Sequence, residues 1–241
     1  MSDAAPQFEE IKIPVPDRVH GLDTVTGMLG IPEWWPTGAR VSVVIARASL
    51  AEDALIDHIQ RELTAKKILT LSFPLPFMVA GKKNADDMRI LKRAYQAAVA
   101  LLAQDPSAAP AHVFAGGKNI GALVAAHAAT ATARMRVEGL FLLGYPLHKQ
   151  DDPSDPRSEQ LYRAVTPMLF VQGQRDRHCD LPTLRKTLAR VGAPVQLHVV
   201  NEADHQLRVP KKAERSQEQV NHEVLAALES WMRKTLGSAS S

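Results

Sequence analysis

Three positions carry residue types able to hold a reacting carbonyl or move a proton: Asn119, Asp176 and His205. Asn119 lies in Gly117-Lys118-Asn119-Ile120-Gly121, between a short apolar run from His112 and an alanine-rich helical pattern. A Gly-x-Ser-x-Gly turn lifts a serine hydroxyl above the end of a strand, and here asparagine holds the serine's place. Asp176 follows the apolar run Met168–Gly173, and His205 follows Val195–Val200 across the short loop 201–204. A carboxylate that orients an imidazole, and an imidazole that takes a hydroxyl proton, are the other two parts of nucleophilic acyl transfer. No metal-ligand spacing competes. The histidines are scattered and the lone Cys179 has no partner at ligand spacing, so neither a metal nor a cofactor is expected.

Asparagine changes what such a site can do. A serine attacks because its hydroxyl surrenders a proton to the histidine as the oxygen bonds to the carbonyl carbon. A carboxamide has no such proton, and its oxygen is a poor nucleophile at neutral pH. Ile120, next in the turn, and Ala46 and Arg47, at the end of an earlier strand, are the candidate oxyanion and cleft residues. Arg47 is expected either to put a guanidinium into the cleft, which favours a bound anion over a tetrahedral intermediate, or to point to solvent.

These residues need elements to hold them. Near-continuous apolar runs at Val41–Ala46, Ile68–Phe73, His112–Ala115, Leu140–Gly144, Met168–Gly173 and Val195–Val200 read as strands covered on both faces of a parallel sheet. Helical patterns separate them. Ser49-Leu50-Ala51-Glu52 reads as a capping box, Asn84 as the cap of a helix bearing Leu91 and Tyr95, and Asp180 as the cap of Leu181–Val191. Gly121–Thr132 is an alanine-rich helix suited to close packing. A last helix runs from about Glu214 to Leu236, leaving 237–241 as a disordered tail. Phe8–Ile13 and Gly21–Leu29, joined through "PVPDR", form an antiparallel entry. The expectation is a single domain over residues 1–236, an open and mostly parallel α/β sheet with antiparallel amino-terminal strands and helices on both faces. In such sheets, sites form beyond the carboxyl ends of the strands, where Asn119, Asp176 and His205 all fall.

Composition narrows the class. With 241 residues, 45% of them hydrophobic, and a net charge of +3, the chain reads as an ordinary globular protein. The basic groups at 81–83 and 210–212 are too brief for a nucleic-acid footprint. No apolar run is long enough to span a bilayer, and "MSDAAPQFEE" is not a secretory signal. A single cysteine fits a reducing compartment, so a cytoplasmic location is expected, with neither membrane nor nucleic acid as partner.

Turn, acid, histidine is the chain order of α/β-hydrolases. From about residue 40 to 212 the sequence resembles their small dienelactone-hydrolase-like branch, which includes the testis-expressed and NSL-complex subunit relatives. The segments that carry the resemblance are "LSFPLPFMVAGKK", "AGGKNIGALVA", "LLGYPLHK", "TPMLFVQGQRD" and "EADHQLRVPKK". The resemblance implies an α/β-hydrolase fold and puts Asp176 and His205 on the family's acid and histidine positions. Two departures stand out. The family's elbow reads Gly-Lys-Ser-Met-Gly-Gly, where this chain has Asn119 and Ala122, and its His-Gly-Ala-Gly-like oxyanion loop is replaced by "ARASLAED" from Ala46.

The expected function is therefore a non-hydrolytic protein of hydrolase fold that binds a small molecule in its cleft or a protein partner. The alternative is an enzyme in which Asp176 and His205 act as general base, without a serine nucleophile, on ester or related carbonyl substrates. No cap domain is evident. The irregular segment 144–165 is expected to border an open cleft, and the Trp34-Trp35 pair, or an edge strand, is a candidate interface; oligomeric state is left open.

Overall fold

A computed structural model describes residues 6–33, 40–104, 109–131 and 135–239. The Trp34-Trp35 pair lies outside them. Eight strands form one sheet, ordered β1-β2-β4-β3-β5-β6-β7-β8. β1 (Gln7–Pro14) and β2 (Thr24–Ile31) pair antiparallel, and β2 joins β4 antiparallel through Met28, Leu29 and Gly30. β3 (Val41–Ala46), β4 (Leu69–Phe73), β5 (His112–Lys118), β6 (Gly139–Leu143), β7 (Met168–Gly173) and β8 (Val195–Val200) run parallel. The antiparallel entry and parallel body expected from the sequence are both present. β5 runs three residues further than its apolar stretch, through Gly116 and Gly117 to Lys118.

Alternation along each strand feeds two cores, because successive side chains leave opposite faces of a sheet. Val44, Ala46, Leu142 and Phe170 face the helices α3 (Met88–Leu101), α4 (Ile120–Ala129) and α6 (Leu181–Leu188). Val43, Ile45, Phe141 and Leu169 face α1 (Ala54–Ala65) and α7 (Gln217–Ala239). Two single-turn helices, α2 (Pro76–Val79) and α5 (Glu159–Tyr162), sit in the connections after β4 and β6. Among the described residues no helix is long and apolar enough to cross a membrane.

Local signals mislead at three helix ends. Asp53, not Ser49, caps α1, accepting from the Leu55 and Ile56 N–H groups. Asp87, not Asn84, caps α3 through the Arg89 N–H. In both cases an aspartate just before the apolar stripe takes the role that an equally capable cap further back was expected to fill, because the helix begins nearer the stripe. α7 passes through Gly237 to Ala239, so the segment read as a tail from 237 continues the helix for three more residues. Asp180 caps α6 as expected, through the Thr183 N–H.

Candidate functional site

The turn after β5 is built by close approach. A Cβ on Gly121 would lie 2.3 Å from the Ala46 carbonyl oxygen, and one on Gly117 would lie 2.5 Å from the Gly121 carbonyl carbon. Only glycine lets α4 begin this near to β3. Asn119, at the tip, takes φ 52° and ψ −115°, a conformation that costs an L-residue energy and is held here by its surroundings. Its N–H donates to the Leu143 carbonyl at 2.8 Å, which pins the turn to β6.

Asp176 and His205 meet. The His205 Nδ1 lies 2.9 Å from Asp176 Oδ2, and the other carboxylate oxygen accepts the His178 N–H at 2.7 Å. Gln172, buried in β7, also donates to Asp176, while its own carbonyl oxygen accepts the Tyr145 N–H at 3.0 Å. The acid is thus fully enclosed and aimed by three donors. Gly173 lets this happen: a Cβ there would lie 2.3 Å from the Asp204 carbonyl, so the loop carrying His205 could not close over the end of β7.

Asn119, Ile120, His178, His205 and Gln206 share one open hollow of about 340 Å³ with Pro146, Lys149, Gln150 and Arg157. Asn119 and His205 therefore converge with Ile120, and Asp176 joins them from behind through His205. The segment 144–165 borders them, as expected. Gly144 marks the crowding below: at φ +57° it sits where a Cβ would lie 2.5 Å from the His205 carbonyl oxygen and 2.7 Å from Asn119 Oδ1. The Asn119 side chain is 6% exposed, and its Oδ1 has no hydrogen-bond partner among the described residues. The asparagine side chain does not cap α4 either.

Ala46 and Arg47 fall elsewhere. Ala46 is buried behind the turn, against Gly117 and Gly121. Arg47 turns to the opposite side of β3, where its guanidinium lies 3.0 Å from Asp57 of α1 and 3.4 Å from the Ser72 hydroxyl. It lines a separate hollow beside β2. The expectation of a guanidinium in the cleft is overturned, because Asp57, one turn into α1, supplies a nearby carboxylate. The Arg47 N–H is also engaged, donating to the Phe73 carbonyl at 2.9 Å.

Two groups beside the turn escaped the sequence reading. Lys118, 2% exposed, places its ammonium 2.8 and 3.0 Å from the two oxygens of Asp53. Burial pulls this lysine below its ordinary range, while the Asp53 carboxylate pulls it back up. Their 65-residue separation hid the pair, although a lysine inside an otherwise apolar strand end was a visible sign. His178 packs at a tilt against His205, with ring centroids 4.4 Å apart, and partial burial and the neighbouring imidazole hold it below its usual range against the opposite pull of Asp176. Cys179 is buried, and burial first, and then Asp176, push its thiol far up.

The sequence matches the family described as Alpha/beta hydrolase domain over residues 41–233, and the chain belongs to that family. Its fold is similar to that of a dienelactone hydrolase from Anabaena variabilis, at TM-score 0.68 and 18% identity over 94% of this chain and 99% of that one. An alpha-beta serine hydrolase homologue from Coxiella burnetii matches at TM-score 0.67 and 15% identity, over 91% and 95% of the two chains. Est1E from Butyrivibrio proteoclasticus, in a structure with ferulic acid bound, matches at 0.69 and 14%, over 94% and 99%. At these identities the likeness establishes the fold that the sequence motifs implied.

Proposed function

We propose that this protein is a non-hydrolytic member of its family that binds a small molecule in the cleft above Asn119. The observation that carries the reading is the pairing of an intact Asp176–His205 dyad with an asparagine on the elbow, where a serine hydroxyl would be needed. His205 has an orienting acid, but no hydroxyl to deprotonate in that turn. The oxyanion side is altered as well, because the Arg47 N–H is already bonded to Phe73 and Ala46 is packed behind the glycines. Losing the nucleophile alone removes on the order of 10⁶ in kcat from a well-studied triad. What persists is a hollow of about 340 Å³, of the size that takes a small organic ligand.

A panel of short p-nitrophenyl esters tests this. The expected result is no burst and turnover near the buffer rate, and a stoichiometric burst would end the proposal. The second reading, the dyad as general base on a water or an acidic substrate proton, is favoured by the Asp176–His205 contact alone. It requires that any slow turnover vanish in His205→Ala; turnover that survives in that variant removes it.

A further inference from the structure

Resting on the reading of the cleft as a non-covalent binding site, we propose that its ligand is a small organic anion, held by Lys149, Arg157 and the amino terminus of α4. The hollow is one-sided in charge. Its charged lining consists of Lys149 and Arg157, with no carboxylate. The acids of the neighbouring loop stay out of this lining, and two of them are held by other groups. Asp151 is clasped by Arg177, whose Nε donates at 2.8 Å with a second bond from Nη2, and Asp152 accepts from the Ser154 N–H and hydroxyl. Neither Lys149 nor Arg157 makes an ion pair among the described residues.

Both cations stand on backbone that the fold fixes. The buried His148 donates through Nδ1 to the Lys149 carbonyl at 2.6 Å and accepts the Asp180 N–H at Nε2 at 2.8 Å, tying that loop to the start of α6. The Arg157 carbonyl accepts the Tyr145 hydroxyl at 2.9 Å and the Gln160 amide at 2.8 Å. Beneath them, α4 presents a ten-residue helix whose first turn has no side-chain cap. A helix amino terminus with exposed cations above it attracts negative charge. A site of the kind that elsewhere in this fold meets a transient oxyanion would here meet a permanent one. The anion expected of Arg47 from sequence is served by Lys149 and Arg157 instead.

The test is calorimetric titration of the full chain with benzoate, with inorganic phosphate and with neutral benzamide. Benzoate binding, at least about tenfold tighter than benzamide, is expected to weaken about tenfold in Lys149→Ala/Arg157→Ala and again as salt is raised, since each exposed cation contributes modestly and is screened. Phosphate binding without benzoate binding would mark the anion as a phosphate rather than a carboxylate, and supports the proposal equally if the double variant loses it. Both substituted residues are exposed, so an unchanged thermal midpoint confirms the fold. Equal affinity for benzoate and benzamide, an unaltered double variant, or no anion binding at millimolar concentration overturns the inference. None of these outcomes touches the non-hydrolytic reading, which fails only on a burst at the elbow.

Discussion

At the scale of single residues, the site is defined by what each side chain already holds. Asp176 has its oxygens engaged by His205, by the His178 backbone and by Gln172. Asn119 has an oxygen with no partner. Restoring the hydroxyl with Asn119→Ser would give His205 something to deprotonate, yet little or no esterase activity is expected, because the Arg47 amide remains spent on Phe73. Loss of an oxyanion donor costs about 10²–10³ in kcat by itself. A p-nitrophenyl acetate assay of the variant checks this; vigorous turnover would show that the second donor comes from another residue. Asn119, Ile120, Asp176 and His205 were legible in the sequence because each follows the end of an apolar run in a fixed chain order. Arg47 was misplaced for the complementary reason. Strand position says where a side chain starts, and a carboxylate 10 residues away, at Asp57, decides where it ends.

At the scale of elements, the elbow is clamped from three sides, and each clamp has a measurable consequence. Gly121→Ala puts a methyl against backbone atoms of β3 that cannot rotate away, and is expected to destabilise by about 1–3 kcal/mol in urea denaturation. Lys118 and Asp53 join the end of β5 to the first turn of α1. Removing one partner, as in Asp53→Asn, strands the buried ammonium and should cost about 3–5 kcal/mol, whereas Lys118→Met with Asp53→Asn, which keeps an oxygen to cap α1, should recover most of it. If the single and double variants are equally unstable, the ion pair is not the reason for the loss. Tyr95 of α3 donates its hydroxyl to the Gly116 carbonyl at 2.7 Å, with the Val44 carbonyl at 3.1 Å, and accepts the Gly116 N–H at 2.8 Å. Tyr95→Phe therefore leaves buried backbone polar groups without a partner, at about 1–3 kcal/mol. The helical stripe predicted that Tyr95 faces the core. It did not predict that the hydroxyl mends the β5 backbone, since a period of 3.6 reports a face and not a bond. The same limit explains the caps: the sequence offered Ser49 and Asn84, and the aspartates nearer the apolar stripe were the ones in reach.

At the scale of the whole molecule, the fold fixes how stability responds to pH. Burial holds the imidazoles of His58, His127 and His178 below their ordinary range. His58 packs edge-on against His222 of α7, with ring centroids 4.6 Å apart, and its Nε2 is buried without a partner. A depressed folded-state value means that the unfolded chain binds more protons as pH drops below about 6.5, so stability falls in that direction and is flat above it. Asp151, Asp152 and Asp180 are held below the usual carboxylate range by their own hydrogen bonds, and act only at lower pH. The thermal midpoint at about pH 5.5 is thus expected to lie below that at about pH 7.5, with His127→Gln flattening the difference. A midpoint that rises on acidification would contradict the burial of these rings. The global architecture was the most legible level of all. Apolar strands alternating with amphipathic helices allow few arrangements, and the order of elements along the chain selected the one observed.

The proposed function stands or falls on one point, that the residue at the tip of the elbow cannot form a bond to a carbonyl carbon. Mass spectrometry of the intact protein, quenched within milliseconds of mixing with excess activated ester, addresses it without relying on turnover. The account predicts the unmodified mass at every time point. A transient acyl adduct that maps to Asn119 would contradict it.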